Sequence, residues 1–205
     1  MANQFFIERR PHNGMTYKEY TESIVNEIRN TNPVNLSEEQ KEIYNYKMLN
    51  LQRSGRVDKT YIVSKELKDA IKNIKDKQLW MVLTEGWCGD SAQNLPHIVK
   101  LSELSSNIDL RILLRDSNPD IMDFYLTNGT KSIPKIVAFD NSGNELFQWG
   151  PRPKEAKELI NKLKEEGIVK PELYEKLHLW YGRNRGKGIE AEFLEILTNL
   201  LKSNL

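Results

Sequence analysis

"TEGWCGDSAQNLP", residues 84–96, contains the only cysteine of the chain, Cys88. Just before it, "LWMVLT" (79–84) is an unbroken apolar run of strand length, the pattern of a strand buried on both faces. Just after it, "SAQNLPHIVKLSEL" has helical periodicity, with Pro96 inside it predicting a kink. A buried strand therefore runs into a Trp-Cys-Gly-Asp-Ser turn that opens a helix.

Downstream the pattern keeps alternating. "IDLRILL" (108–114) predicts a second strand, and "NPDIMDFYLTNG" (118–129) a short helix ended by Gly129. "KIVAFD" (135–140) and "NELFQW" (144–149) are strands joined by "NSG", a hairpin signal. Ala156, Leu159, Ile160 and Leu163 mark a closing helix. With an amphipathic helix over 65–76, the order is α-β-α-β-α-β-β-α. The early part needs parallel crossovers and the end is antiparallel, so the sheet is mixed.

The flanks read as helical. Thr16 with Glu19, and Ser37 with Gln40, have capping-box spacing. Tyr17, Tyr20, Ile24 and Ile28 share one helical face, and Tyr44, Met48 and Leu51 another, with "NTNPVN" (30–35) breaking the two helices. At the other end, Pro171 suits a first helical position. Leu173, Leu177 and Trp180 share a face there, as do Phe193, Ile196, Leu197, Leu200 and Leu201. "YGRNRGKG" (181–188) reads as the mobile linker between them, without P-loop spacing.

The bulk numbers narrow the function classes. The chain has 205 residues, 39% hydrophobic and 29% charged, with a net charge of +1. That is a globular composition with no generally basic surface for nucleic acid or an anionic membrane. No run reaches transmembrane length, and the opening "MANQFFIERRPHNG" shows no secretory signal. One cysteine makes no internal disulfide. The expectation is a reducing, cytoplasmic setting.

The ordered set resembles the thioredoxin family over residues 60–167. The carriers are "WCGDS", "SIPKIVAFD" with Pro134 opening the third strand, the hairpin, and Gly150 before the last helix. The resemblance implies a thioredoxin-like three-layer α/β/α sandwich with a central mixed sheet. Residues 1–58 and 168–205 are then N- and C-terminal helical extensions around a domain at 59–167. It further implies that Pro134 is cis, beside Ile133, and that the backbone there pairs with a bound substrate chain.

Two departures bear on chemistry. Ser91 stands where the family has its resolving cysteine, and Val82 where it carries a buried acid that serves that second thiol. Dithiol reduction by the usual route is therefore not expected. A monothiol route remains, in which Cys88 forms a mixed disulfide that an external thiol resolves. Cys88 at a helix start predicts a lowered pKa and an accessible thiol, while the carboxylate of Asp90, and that of Glu85, pull the other way.

The expected catalytic residues are thus Cys88 and Ser91. Trp87, Gly89, Asp90, Ile133 and Pro134 are expected to hold the partner, a protein or a small thiol or disulfide. The alternative is a non-catalytic module that uses the same cleft for a protein partner. Nothing marks a metal or nucleotide cofactor. His12, His97 and His178 are scattered, and no histidine is expected to pair with the thiol. Arg152 in "GPRPK" reads as part of a rigid turn, and Trp149 as core.

Overall fold

The computed structural model describes residues 2–203. Its centre is a four-stranded sheet in the order β2-β1-β3-β4. The strands are β1 (Gln78–Thr84), β2 (Ile108–Leu114), β3 (Lys135–Asp140) and β4 (Glu145–Trp149). β1 pairs in parallel with β2 and antiparallel with β3, and β3 and β4 form the antiparallel hairpin. The mixed sheet follows from the crossover helix between β1 and β2, α5 (Gly89–Ser102), and the tight turn between β3 and β4.

Every residue of β1 is buried, because the strand is central and covered on both faces. Side chains alternate across the sheet. Trp80, Val82, Ile136 and Ala138 pack with α5 and with α2 (Tyr17–Asn30), α4 (Lys65–Lys72) and α9 (Lys187–Ser203). Leu79, Met81, Val137 and Phe139 pack on the other side with α1 (Gln4–Ile7) and α6 (Pro119–Asp123). The result is the α/β/α sandwich with helical additions at both ends.

Both capping boxes form, Thr16–Glu19 at the start of α2 and Ser37–Gln40 at the start of α3 (Glu38–Thr60). Other expectations are corrected. In α3 the buried side chains are Asn50 and Val57, and Met48 is 40% exposed. The helix expected at 118–129 ends at Asp123, where Thr127 and Thr130 pair in a tight turn instead.

The segment 181–188 is mostly helix. α8 (Lys170–Asn184) continues through it, and only Arg185 and Gly186 break the chain before α9. Both take positive φ, 53° and 85°, the left-handed conformation that ends helices. The buried face of α8 is Leu173, Leu177 and Tyr181, a strict i, i+4, i+8 row. Trp180 is only partly buried. Together with α7 (Lys154–Glu165) this face forms a separate apolar cluster. The opening "FF" is core as well: Phe5 and Phe6 pack on Phe139.

Candidate functional site

β1 delivers the chain to the motif, and Cys88 is the N-cap of α5 in extended conformation. The Ile133–Pro134 peptide is cis and lies beside it. Cys88 Sγ donates to the carbonyl oxygen of Ile133 at 3.3 Å. The thiol packs in the apolar cluster with Leu83, Ile121 and Ile133 and is only 8% exposed.

Burial pushes the thiol up to about 11, and the charge of Asp90 adds to the rise. The Ser91 hydroxyl and the backbone N–H groups of Ser91 and Asp90 act in the opposite direction. The lowered pKa and accessible thiol expected at a helix start are thus overturned. Desolvation of the anion outweighs the helix-start donors, because the sulfur sits in the core rather than at the surface. Ser91 Oγ is buried and makes no hydrogen bond with the thiol protonated, which leaves its O–H free to serve a thiolate.

Asp90 is the organising polar residue. Arg152 donates to its Oδ2 from Nε at 2.8 Å, and Arg152 Nη2 lies 2.6 Å from the same oxygen. Tyr181 Oη donates to Oδ1 at 2.7 Å, and Asn94 Nδ2 donates to both Tyr181 Oη and the Asp90 carbonyl at 3.0 Å. A buried carboxylate requires such partners. Arg152 is therefore more than a turn residue, and Tyr181 more than a linker residue. Asp90 predicts that partners exist, but they stand 62 and 91 positions away, beyond any local pattern. Glu85 accepts from the Asp116 N–H at 2.9 Å, and burial raises its pKa.

The helical additions close over the same turn. Asn50 Nδ2 donates to the Gly86 carbonyl at 3.0 Å, and Ser54 Oγ to that of Ala92 at 3.2 Å. Gly89 lies against His178, so closely that a Cβ there would sit 2.8 Å from the ring. The His178 pKa falls to about 4 through burial, then through Arg53, Arg152 and Arg56. His178 therefore neighbours the motif, although its number gives no hint of it. Trp87 is half-buried, with the Arg115 guanidinium 4.9 Å above its ring centre.

Cys88, Gly89, Asp90 and Ser91 thus lie on one turn, with Trp87 before it and Ile133 against the sulfur. The chemistry available is that of one thiol with a hydroxyl donor beside it and the buried Ile133 carbonyl against the sulfur. Among the described residues no group of three or more His, Cys, Asp or Glu could hold a metal ion. None of their helices is long and apolar enough to cross a membrane.

A family model described as thioredoxin matches residues 37–164, from the start of α3 to α7. Two solved structures share the fold. One is a Pseudomonas aeruginosa protein of unknown function, 17% identical with a TM-score of 0.51, covering 90% of this chain and 98% of that one. The other is an HIV epitope-scaffold protein, 18% identical with a TM-score of 0.52, covering 90% and 99%. No curated protein matches the chain.

Proposed function

Since this chain belongs to the thioredoxin family, we propose that it carries out monothiol thiol–disulfide exchange through a mixed disulfide at Cys88. The observation that carries this reading is the juxtaposition of Cys88 Sγ with the Ile133 carbonyl, at the backbone edge where a partner chain is expected to pair. The Cys88 thiolate attacks a partner disulfide. One new S–S bond joins Cys88 to the partner, and the partner's other sulfur leaves as a thiolate and takes up a proton. A second external thiol then attacks the mixed disulfide and restores Cys88. Ser91 donates to the Cys88 thiolate when it forms, but has no sulfur with which to resolve the bond.

The raised pKa makes this a slow nucleophile at rest. A thiol near 11 has far less thiolate at pH 7 than a free one near 8.5, though each thiolate is more nucleophilic. The two effects leave it on the order of tenfold or more slower than a free thiol toward a small disulfide. Selectivity then comes from partner docking at half-buried Trp87 and Gly89, with Ile133, Pro134 and Asp90 buried around the thiol behind them.

The test is incubation with oxidised glutathione followed by intact-mass analysis. A single persistent adduct is expected in the wild type. In Ser91→Cys the adduct gives way to an internal disulfide with release of glutathione. Absence of any adduct on the folded chain sinks the reading.

A second reading draws on the burial of the thiol and its bond to Ile133: the cleft is a non-catalytic docking site and the sulfur is part of its wall. Partner binding that survives Cys88→Ser favours this module. Binding that vanishes favours exchange.

A further inference from the structure

Beside α5 lies a cavity of about 440 Å³, within the size range of small-molecule sites. Its lining includes Gln93 and His97 from α5, Arg56 from α3, Trp180 from α8, and the Arg185–Gly186 turn. Cys88 does not line it. At 1.5 Å of rise per residue, Gln93 and His97 lie about 7 and 13 Å beyond Cys88 along the helix.

The charge of the lining is one-sided. Arg56 and Arg185 contribute to it, and no aspartate or glutamate does. Arg56 Nη2 donates to the neutral amide oxygen of Gln93 at 3.1 Å. A guanidinium has five donors in a fork suited to a carboxylate or phosphate, so most of that fork is still available. No ion pair engages either arginine among the described residues. His97 supplies a ring without a charge. Its Nδ1 is 2.8 Å from the Gln93 carbonyl, and burial, with Lys100 and Arg56, lowers its pKa to about 4.

The backbone at Arg185 is fixed in a helix-to-helix turn, and its side chain, like that of Arg56, is exposed at the mouth of the cavity. Its left-handed conformation is followed by Gly186, also at positive φ, and the His97 ring occupies the space a Gly186 Cβ would need. Aromatic surface completes the lining. Tyr61 packs edge-on to His97 with ring centres 4.3 Å apart, and Trp180 against Tyr181 at 5.2 Å. Planar groups stack on such surfaces, and arginine pairs with anions bidentately.

From this we infer that the cavity binds a small aromatic anion, a phosphate or carboxylate on a planar ring, with the anion between Arg56 and Arg185 and the ring against Trp180. The site goes beyond the exchange reading and does not depend on Cys88.

The test is calorimetric titration of the full chain with phenyl phosphate, phenol and inorganic phosphate. Wild type, Arg56→Gln and Arg185→Gln are compared, with melting curves to establish that both variants fold. Saturable binding of phenyl phosphate is expected, weakened at least tenfold in each variant, with phenol and inorganic phosphate both at least tenfold weaker in the wild type. Absence of saturation overturns the inference. So does equal affinity in wild type and both folded variants, or equal binding of phenol or of inorganic phosphate.

Discussion

Cys88 Sγ donates to the carbonyl of Ile133 at 3.3 Å, so the fold binds the thiol in its neutral form. With burial, this sets the sign of a pH effect. The folded pKa, about 11, lies above the unfolded value of about 8.5. Between the two, the native state holds a proton that the unfolded state has lost. The contribution of Cys88 is complete below about pH 8.5 and declines as pH rises toward 11. Relative to Cys88→Ala, the stability advantage of the wild type is expected to fall by on the order of 2–3 kcal/mol over that window. Urea unfolding at pH 7, 9 and 10.5 checks this; a difference that stays constant or grows contradicts it. The buried tyrosines, whose pKa values also rise, are common to both proteins and cancel except for the part of the Tyr20 rise that comes from the Cys88 charge.

Asp90 raises the thiol pKa through its charge, and Arg152 and Tyr181 hold it in place. In Asp90→Asn the like charge is gone and the Arg152 cation remains. Alkylation of Cys88 at pH 8 is expected to rise roughly three- to tenfold. The same change breaks a buried ion pair, at a cost on the order of 3 kcal/mol in unfolding free energy. Iodoacetamide kinetics and denaturant melts on one sample read both effects. A slower thiol, or an unchanged one, removes Asp90 from the account.

Asn50 ties the N-terminal helices to the motif. It is 3% exposed, and its amide donates to the Gly86 carbonyl and accepts from Arg53. Asn50→Ala leaves that carbonyl buried without its partner, and a loss of about 1–3 kcal/mol is expected. Met48→Ala, two positions away at a side chain 40% exposed, is expected to cost under about 0.5 kcal/mol. Equal effects in thermal or urea melts contradict the assigned packing.

Gly150 has φ 122° and abuts the backbone of Pro134. An added Cβ collides with the Pro134 carbonyl oxygen, a backbone atom that has no room to yield. Gly150→Ala is expected to destabilise by on the order of 4 kcal/mol or more, from strain and steric overlap together. Loss of the cooperative melt is the readout, and a melt like that of the wild type sinks the point.

The sheet was legible because its signals are local. The all-apolar run of β1 and the hairpin between β3 and β4 each stand within a few residues of chain. The turn bearing Cys88 was legible for the same reason. The environment of that turn was not. Arg152, Tyr181, His178 and Asn50 reach it from distant segments, and each looks ordinary where it stands in the sequence. The reversed direction of the thiol pKa has the same origin. A helix start favours an anion, but how deeply the sulfur is buried depends on α6 and on the Ile133 loop, which no local pattern reports. Residues 37–58, which the reading of the sequence assigns to an N-terminal extension, fall inside the segment that the family model matches.

The most direct measurement is the reaction of the folded chain with 4,4′-dithiodipyridine across pH 6 to 11, following released thiopyridone. With a single cysteine, no other site competes. One equivalent is expected at every pH, at pH 7 on the order of tenfold or more slower than the urea-unfolded chain, with a rate still climbing toward pH 11. No release from the folded chain, over a time in which the unfolded chain reacts fully, contradicts Cys88 as the exchanging thiol. A plateau below pH 8 contradicts the buried, neutral thiol on which the account rests.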